Sequence, residues 1–203
     1  LESRHNGRRK LSPAHEIGNS CCSANAVRLM PWFAGAMWMR RTDGLAAVLH
    51  GPCSVETKVN SVRVHIDEKT TYPFSERIEF VLSVDQPVRF PLSIREPGWA
   101  DNGVHLQAPE AEMARNTGFI ELTRTWQDGD RVIVEFDAPI RLQQLANDEG
   151  VLRRGPLMYA LPLEADFEEL PRKHHVDGFF DYNVLLKKEY VSTKFFVDAD
   201  AGG

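Results

Sequence analysis

The chain has 203 residues, 42% hydrophobic and 26% charged, the balance of an ordinary globular protein with one or two domains and a sizeable core. A formal charge of −5 argues against a nucleic-acid surface, and no apolar run approaches the ~20 residues that span a bilayer. The sequence opens at Leu1 with neither a signal peptide nor a start methionine, and a piece of a longer protein is the expectation.

The first elements are a basic cluster and a greasy helix. Arg4, Arg8, Arg9 and Lys10 read as a solvated leader or loop. Cys21 and Cys22 follow in "GNSCCSANAVRLM", with Cys53 the only other cysteine. Bridged Cα atoms sit ~5.5 Å apart against ~3.8 Å for chain neighbours, so a bond between the adjacent pair would be strained. Three cysteines make no disulfide framework, and free thiols are expected. From Ala24 to Met39 the chain is almost entirely apolar apart from Asn25 and Arg28, which predicts a helix buried on every side, as in the inner layer of a helical assembly. Ser23 is placed to cap it, Pro31 to kink it, and most of its packing partners are absent from these residues.

After "RRTDG" the hydrophobic period switches to two. "LAAVLHG", "SVRVHI", "ERIEFVLSV", "VRFPLSI", "FIELTRTW", "RVIVEF" and "GVLRRGPLMYALPL" read as short strands. Ile78, Phe80, Leu82 and Val84 form one face, and Val132, Val134 and Phe136 another. "YPFSE", "EPGWADNG", "QDGD" and "ANDEG" supply the turns. Strands at this spacing without intervening helices predict a mainly-β chain, an antiparallel β-sandwich over roughly residues 45–163, with the domain placed at 42–163. In the extension 164–203, "DFEELPRKHHVDG" reads as a polar loop, "FFDYNVLLKKEYVSTKFFV" as one or two strands, and "DADAGG" as a frayed end.

Candidate chemistry begins with the thiols. A helix N-terminus favours the negative form of a thiol, so Cys21 and Cys22 suit thiolates, which are both nucleophiles and soft zinc ligands. Two buried, inert small residues and a redox pair remain as alternatives. His15 lies within reach of the same stretch but reads as solvated, as do His174 and His175 in their charged loop. His50, His65 and His105 lie in or beside strands and need no special role. Cys53 reads as a small residue at a strand end or, failing that, a third ligand. Glu76, Glu79, Glu121 and Glu135 fit outward-facing strand positions, and no pair stands out as the carboxylates that a retaining glycosidase sets ~5–5.5 Å apart. Trp99 and Trp126, in turns, read as caps of the sandwich edge rather than stacking platforms.

The order of motifs says more than any one of them. "CCSAN" opening an apolar helix, "DGLAAVLHGP", the Tyr-Pro pair of "TTYPFSERIEFVLSV", "REPGWA", the Trp-x-x-Gly-Asp turn of "TWQDGD" and "RRGPLMYAL" occur in succession from about Asn19 to Leu163. This succession resembles the glycoside hydrolase family 127 group, typified by bacterial β-L-arabinofuranosidases. The resemblance implies a catalytic (α/α)6 barrel followed by β-sandwich domains, with residues 1–41 the C-terminal remnant of the barrel. It implies zinc held by three cysteines and a glutamate. Cys21 would be the nucleophile and a zinc ligand, and Cys22 a second ligand. The remaining ligands and the general acid/base would precede this stretch. The implied chemistry is a double displacement that retains configuration and releases L-arabinofuranose-like sugars from plant glycans. The expected partners are a carbohydrate substrate and the barrel of the parent chain, with neither nucleic acid nor membrane. Many relatives carry prolines after the cysteines where this chain has "SAN". A chain with two zinc ligands and no general acid is expected to be inactive alone. A non-catalytic carbohydrate-binding or interdomain sandwich is the alternative, and a purely structural zinc–thiolate site a third reading.

Overall fold

The computed structural model describes residues 20–100, 103–145, 150–160, 164–169 and 182–187. Residues Asn25–Met158 form one compact unit, and the described residues at either end of the chain fall in another.

The first unit is a sandwich of two five-stranded sheets. One contains β1 (Trp38–Arg40), β2 (Leu45–Ala47), β6 (Val88–Arg95), β9 (Phe119–Trp126) and β8 (Glu112–Asn116), in the order β1-β2-β6-β9-β8. The other contains β3 (Cys53–Val59), β4 (Val62–Lys69), β5 (Arg77–Val84), β10 (Arg131–Phe136) and β7 (Val104–Gln107), in the order β3-β4-β5-β10-β7. The alternation in the sequence becomes the core. Ile78, Phe80, Leu82, Val132 and Val134 on one sheet meet Phe90, Leu92, Ile94, Ile120, Leu122 and Trp126 on the other, and all are buried. Fully burying each such side chain contributes about 1.5–3 kcal/mol. β2 and β6 pair in parallel, against the antiparallel expectation. After β2 the chain crosses to the facing sheet, builds β3, β4 and β5, and crosses back as β6. It returns running in the direction in which it left.

The helix α1 runs Ser20–Met37. It therefore starts before Ser23, which lies inside the helix rather than capping it, and it gives way to β1 at Trp38. Pro31 sits in the helix interior. Val27, Leu29, Met30 and Trp32 are each more than 60% exposed, so the apolar stretch read as all-round buried faces solvent. Arg28 donates to Asn25 and lies 5.7 Å over the Trp32 ring. Among the described residues no helix is long and apolar enough to cross a membrane.

A three-stranded antiparallel sheet of β11 (Ile140–Gln144), β12 (Gly150–Arg154) and β13 (Leu157–Met158) closes this unit. In the other unit β14 (Ala165–Glu169) and β15 (Tyr182–Leu186) form an antiparallel pair with Phe167 opposite Val184. β15 meets the expectation of a strand. Asp166–Glu169, read as the start of a polar loop, belong to β14, whose exposed, charged face carries no alternation to reveal it. The basic cluster, His15, His174 and His175 lie outside the described residues.

Candidate functional site

Cys21 and Cys22 occupy the first turn of α1 by backbone, and their side chains lie outside the described set. Elsewhere among the described residues, no group of three or more His, Cys, Asp or Glu is placed to hold a metal ion.

The sandwich gathers four of the sequence motifs at one end: the His-Gly-Pro loop, the Tyr-Pro turn, the Arg-Glu-Pro-Gly-Trp turn and the Arg-Gly-Pro-Leu strand. β4 alternates inward Val64, Ile66 and Glu68, so its pleat turns a carboxylate into the core, where Glu68 is 2% exposed. Glu68 Oε1 accepts from the Gly51 amide at 3.2 Å and contacts His50 Nδ1 at 3.2 Å. Its Oε2 accepts from the Cys53 thiol at 3.5 Å. His50 Nε2 donates to the Arg95 carbonyl at 2.8 Å. One buried side chain thus ties the His-Gly-Pro-Cys loop, β4 and the end of β6 together. Aromatic rings close around it: Phe136 at 5.5 Å and Tyr72 at 6.0 Å from the His50 ring, with Trp99 edge-on to Phe136 at 5.7 Å. A Cβ at Gly155 would lie 3.4 Å from the Trp99 ring, so the Arg-Gly-Pro-Leu strand abuts the Arg-Glu-Pro-Gly-Trp turn. Arg154 beside it pairs with Glu76 of the Tyr-Pro turn at 2.8 Å. These motifs are near one another because they pack against each other.

Electrostatics assign Cys53 a quiet role. Burial pushes its thiol up to about 11, Glu68's charge adds to the rise, and the Trp38 indole pulls weakly the other way. Among the described residues Trp38 Nε1 is a buried donor that makes no well-formed hydrogen bond, to Cys53 included. Among the described residues Cys53 belongs to no group of three metal-ligating side chains. Burial also raises Tyr72, against smaller opposing contributions from Trp99 and Arg95.

The other candidates fall where their strand positions put them. Glu79, Glu121 and Glu135 pair with Arg131, Arg41 and Arg77 across the sheet surfaces. His65 contacts Asp67 at 3.1 Å. Trp126 is fully buried, and its indole donates to the Phe90 carbonyl at 2.9 Å. Gly129, at φ +81°, makes the turn that follows. His50, assigned no role from sequence, is a buried member of the network, and Glu68 was missed altogether. Its signal was there: the inward parity of Val64 and Ile66 continues to position 68. An open polar cleft lies beside this end, lined by Ser75, Glu76, Arg77, His105, Glu135, Phe136 and Asp137.

A two-sheet β-sandwich behind an apolar helix is the class of protein these elements define. Residues 44–138 match the family model described as the beta-L-arabinofuranosidase, GH127 middle domain. A GH127 beta-L-arabinofuranosidase from Geobacillus stearothermophilus T6 superposes with a TM-score of 0.62 at 21% identity, over 83% of this chain and 35% of its own. A structure described as a glycoside hydrolase gives 0.65 at 20% identity, over 97% of this chain and 38% of its own. A third, a GH127 beta-arabinofuranosidase, gives 0.60 at 19% identity, over 84% and 35%. No curated protein matches. The chain is GH127-like, and it spans little more than a third of the length of the solved structures it matches.

Proposed function

We propose that this chain is part of a retaining glycoside hydrolase that releases β-L-arabinofuranose-like sugars from plant glycans, with Cys21 as its nucleophile. The observation that carries the reading is the GH127 middle-domain match over residues 44–138, directly downstream of a helix whose first turn holds Cys21 and Cys22. The donor chemistry fits zinc, since the metal prefers thiolates and the helix N-terminus favours the charged form of both thiols. Cys21 and Cys22 would hold it, supplying two of about four ligands. Zinc, when bound, keeps thiols deprotonated at neutral pH. Cys21 then supplies the sulfur that displaces the leaving alcohol at the anomeric carbon. An acid outside these residues protonates that alcohol. Attack by water returns the thiolate, and two inversions retain configuration. Residues 1–41 would complete the catalytic barrel and residues 42–163 the sandwich beside it.

A second reading has its own observation. The buried ties of Glu68 and the paired surface carboxylates serve the sandwich's packing, as an interdomain or carbohydrate-binding module requires. Incubating the complete parent with an aryl β-L-arabinofuranoside, and following the first-formed anomer by NMR, separates the two. Release of the β-anomer first supports the hydrolase. No hydrolysis, or the α-anomer first, removes it.

A further inference from the structure

We propose that Phe74 and the cleft beside it form a saccharide-binding subsite on the sandwich; the choice of a sugar as occupant rests on the carbohydrate-acting reading above. Phe74 is 76% exposed, yet its turn is braced. The Phe74 amide donates to the Thr71 carbonyl at 2.9 Å, and the Tyr72 amide to Thr70 Oγ1 at 2.9 Å. Thr70 Oγ1 in turn donates to the Arg77 carbonyl at 2.8 Å, and the Arg77 amide to Ser75 Oγ at 3.2 Å. An aromatic ring held out to solvent on a fixed turn loses little freedom on binding, which is what a recognition anchor needs.

The next residues supply the polar half of the site. Ser75, Glu76 and Arg77 line the cleft together with His105 on β7 and Glu135, Phe136 and Asp137 at the end of β10. Two ion pairs hold it: Glu76 with Arg154 and Arg77 with Glu135, each at 2.8 Å. Carboxylates and guanidinium groups set side by side offer acceptors and donors together. A sugar presents the matching chemistry, an apolar ring face for Phe74 and a rim of hydroxyls that both donate and accept. Phosphate fits poorly against Glu76, Glu135 and Asp137. A protein partner would need an apolar contact centre within ~800 Å² per side. Of the large exposed apolar side chains among the described residues, only Phe74 belongs to this turn or the cleft lining.

The test titrates the full chain with short arabinose-containing oligosaccharides, read by saturation-transfer NMR and by retardation in glycan-loaded gels. The expected result is weak, saturable binding that falls at least tenfold in Phe74→Ala and severalfold in Asp137→Asn, with near-UV circular dichroism unchanged. Should Phe74→Ala fail to fold, the exposed Asp137 position decides through its own variant. Absence of saturable binding, or binding that folded variants leave intact, overturns the subsite. Neither readout needs turnover, so a parent without hydrolytic activity counts against the enzyme reading alone.

Discussion

Replacing Glu68 with alanine should destabilise the sandwich more than any surface change. Its carboxylate is fully buried and serves the Gly51 amide, His50 and the Cys53 thiol at once. Truncation leaves the Gly51 amide without its acceptor and His50 Nδ1 without its partner, and each buried orphan costs about 1–3 kcal/mol. Together they reach about 2–6 kcal/mol, and the cavity adds to this. Whole domains are stable by only about 5–15 kcal/mol, so a large share of the fold's margin rests on this side chain. Glu68→Gln keeps an oxygen for the Gly51 amide and should lose only about 1–2 kcal/mol. Urea unfolding of the full chain, followed by tryptophan fluorescence, measures both. A shift in midpoint with unchanged slope is expected. If Glu68→Ala falls within about 1 kcal/mol of the parent sequence, the network does not hold the motifs together as argued.

Cys53 should resist thiol reagents. Its thiol is raised from 9.0 to about 11, chiefly by burial, so at pH 8 the folded chain holds roughly a hundredth of the thiolate of an ordinary cysteine. Peptide-mapped alkylation should therefore be about 100-fold slower in the folded chain than in urea, and equal rates would refute the buried contact with Glu68. The sign for stability follows: the folded state keeps a proton that the unfolded thiol releases, so the stabilisation present at neutral pH is lost as pH rises toward about 11. Gly44→Ala should destabilise by about 1–3 kcal/mol or more, because the new Cβ would sit 2.1 Å from the Pro91 carbonyl oxygen on β6. Unchanged urea stability would show that the β1–β2 turn can move aside.

The sandwich was legible where alternation was clean. β5 and β10 carry their inward residues at every second position, and the structure buries those residues. The parallel pairing of β2 with β6 was not, because it follows from where the chain crosses between sheets, which no local pattern records. β14 escaped notice since exposed, charged residues on a two-stranded pair leave no periodic trace. Glu68 was hidden by its type: a carboxylate in "HIDEK" reads as solvent-facing until strand parity is followed past Ile66. The helix illustrates a different limit. Its all-round apolar sequence reads as buried, yet Val27, Leu29, Met30 and Trp32 face solvent, because apolar composition alone fixes no packing partner. The paired cysteines are legible as a pair, and the structure places both in the first turn of α1.

The nucleophile assignment is tested most directly by Cys21→Ala in the complete parent. Steady-state hydrolysis of an aryl β-L-arabinofuranoside should fall to background while the sandwich keeps its unfolding midpoint. Hydrolysis at the unmodified rate, with the variant confirmed by mass spectrometry, would contradict Cys21 as the attacking group.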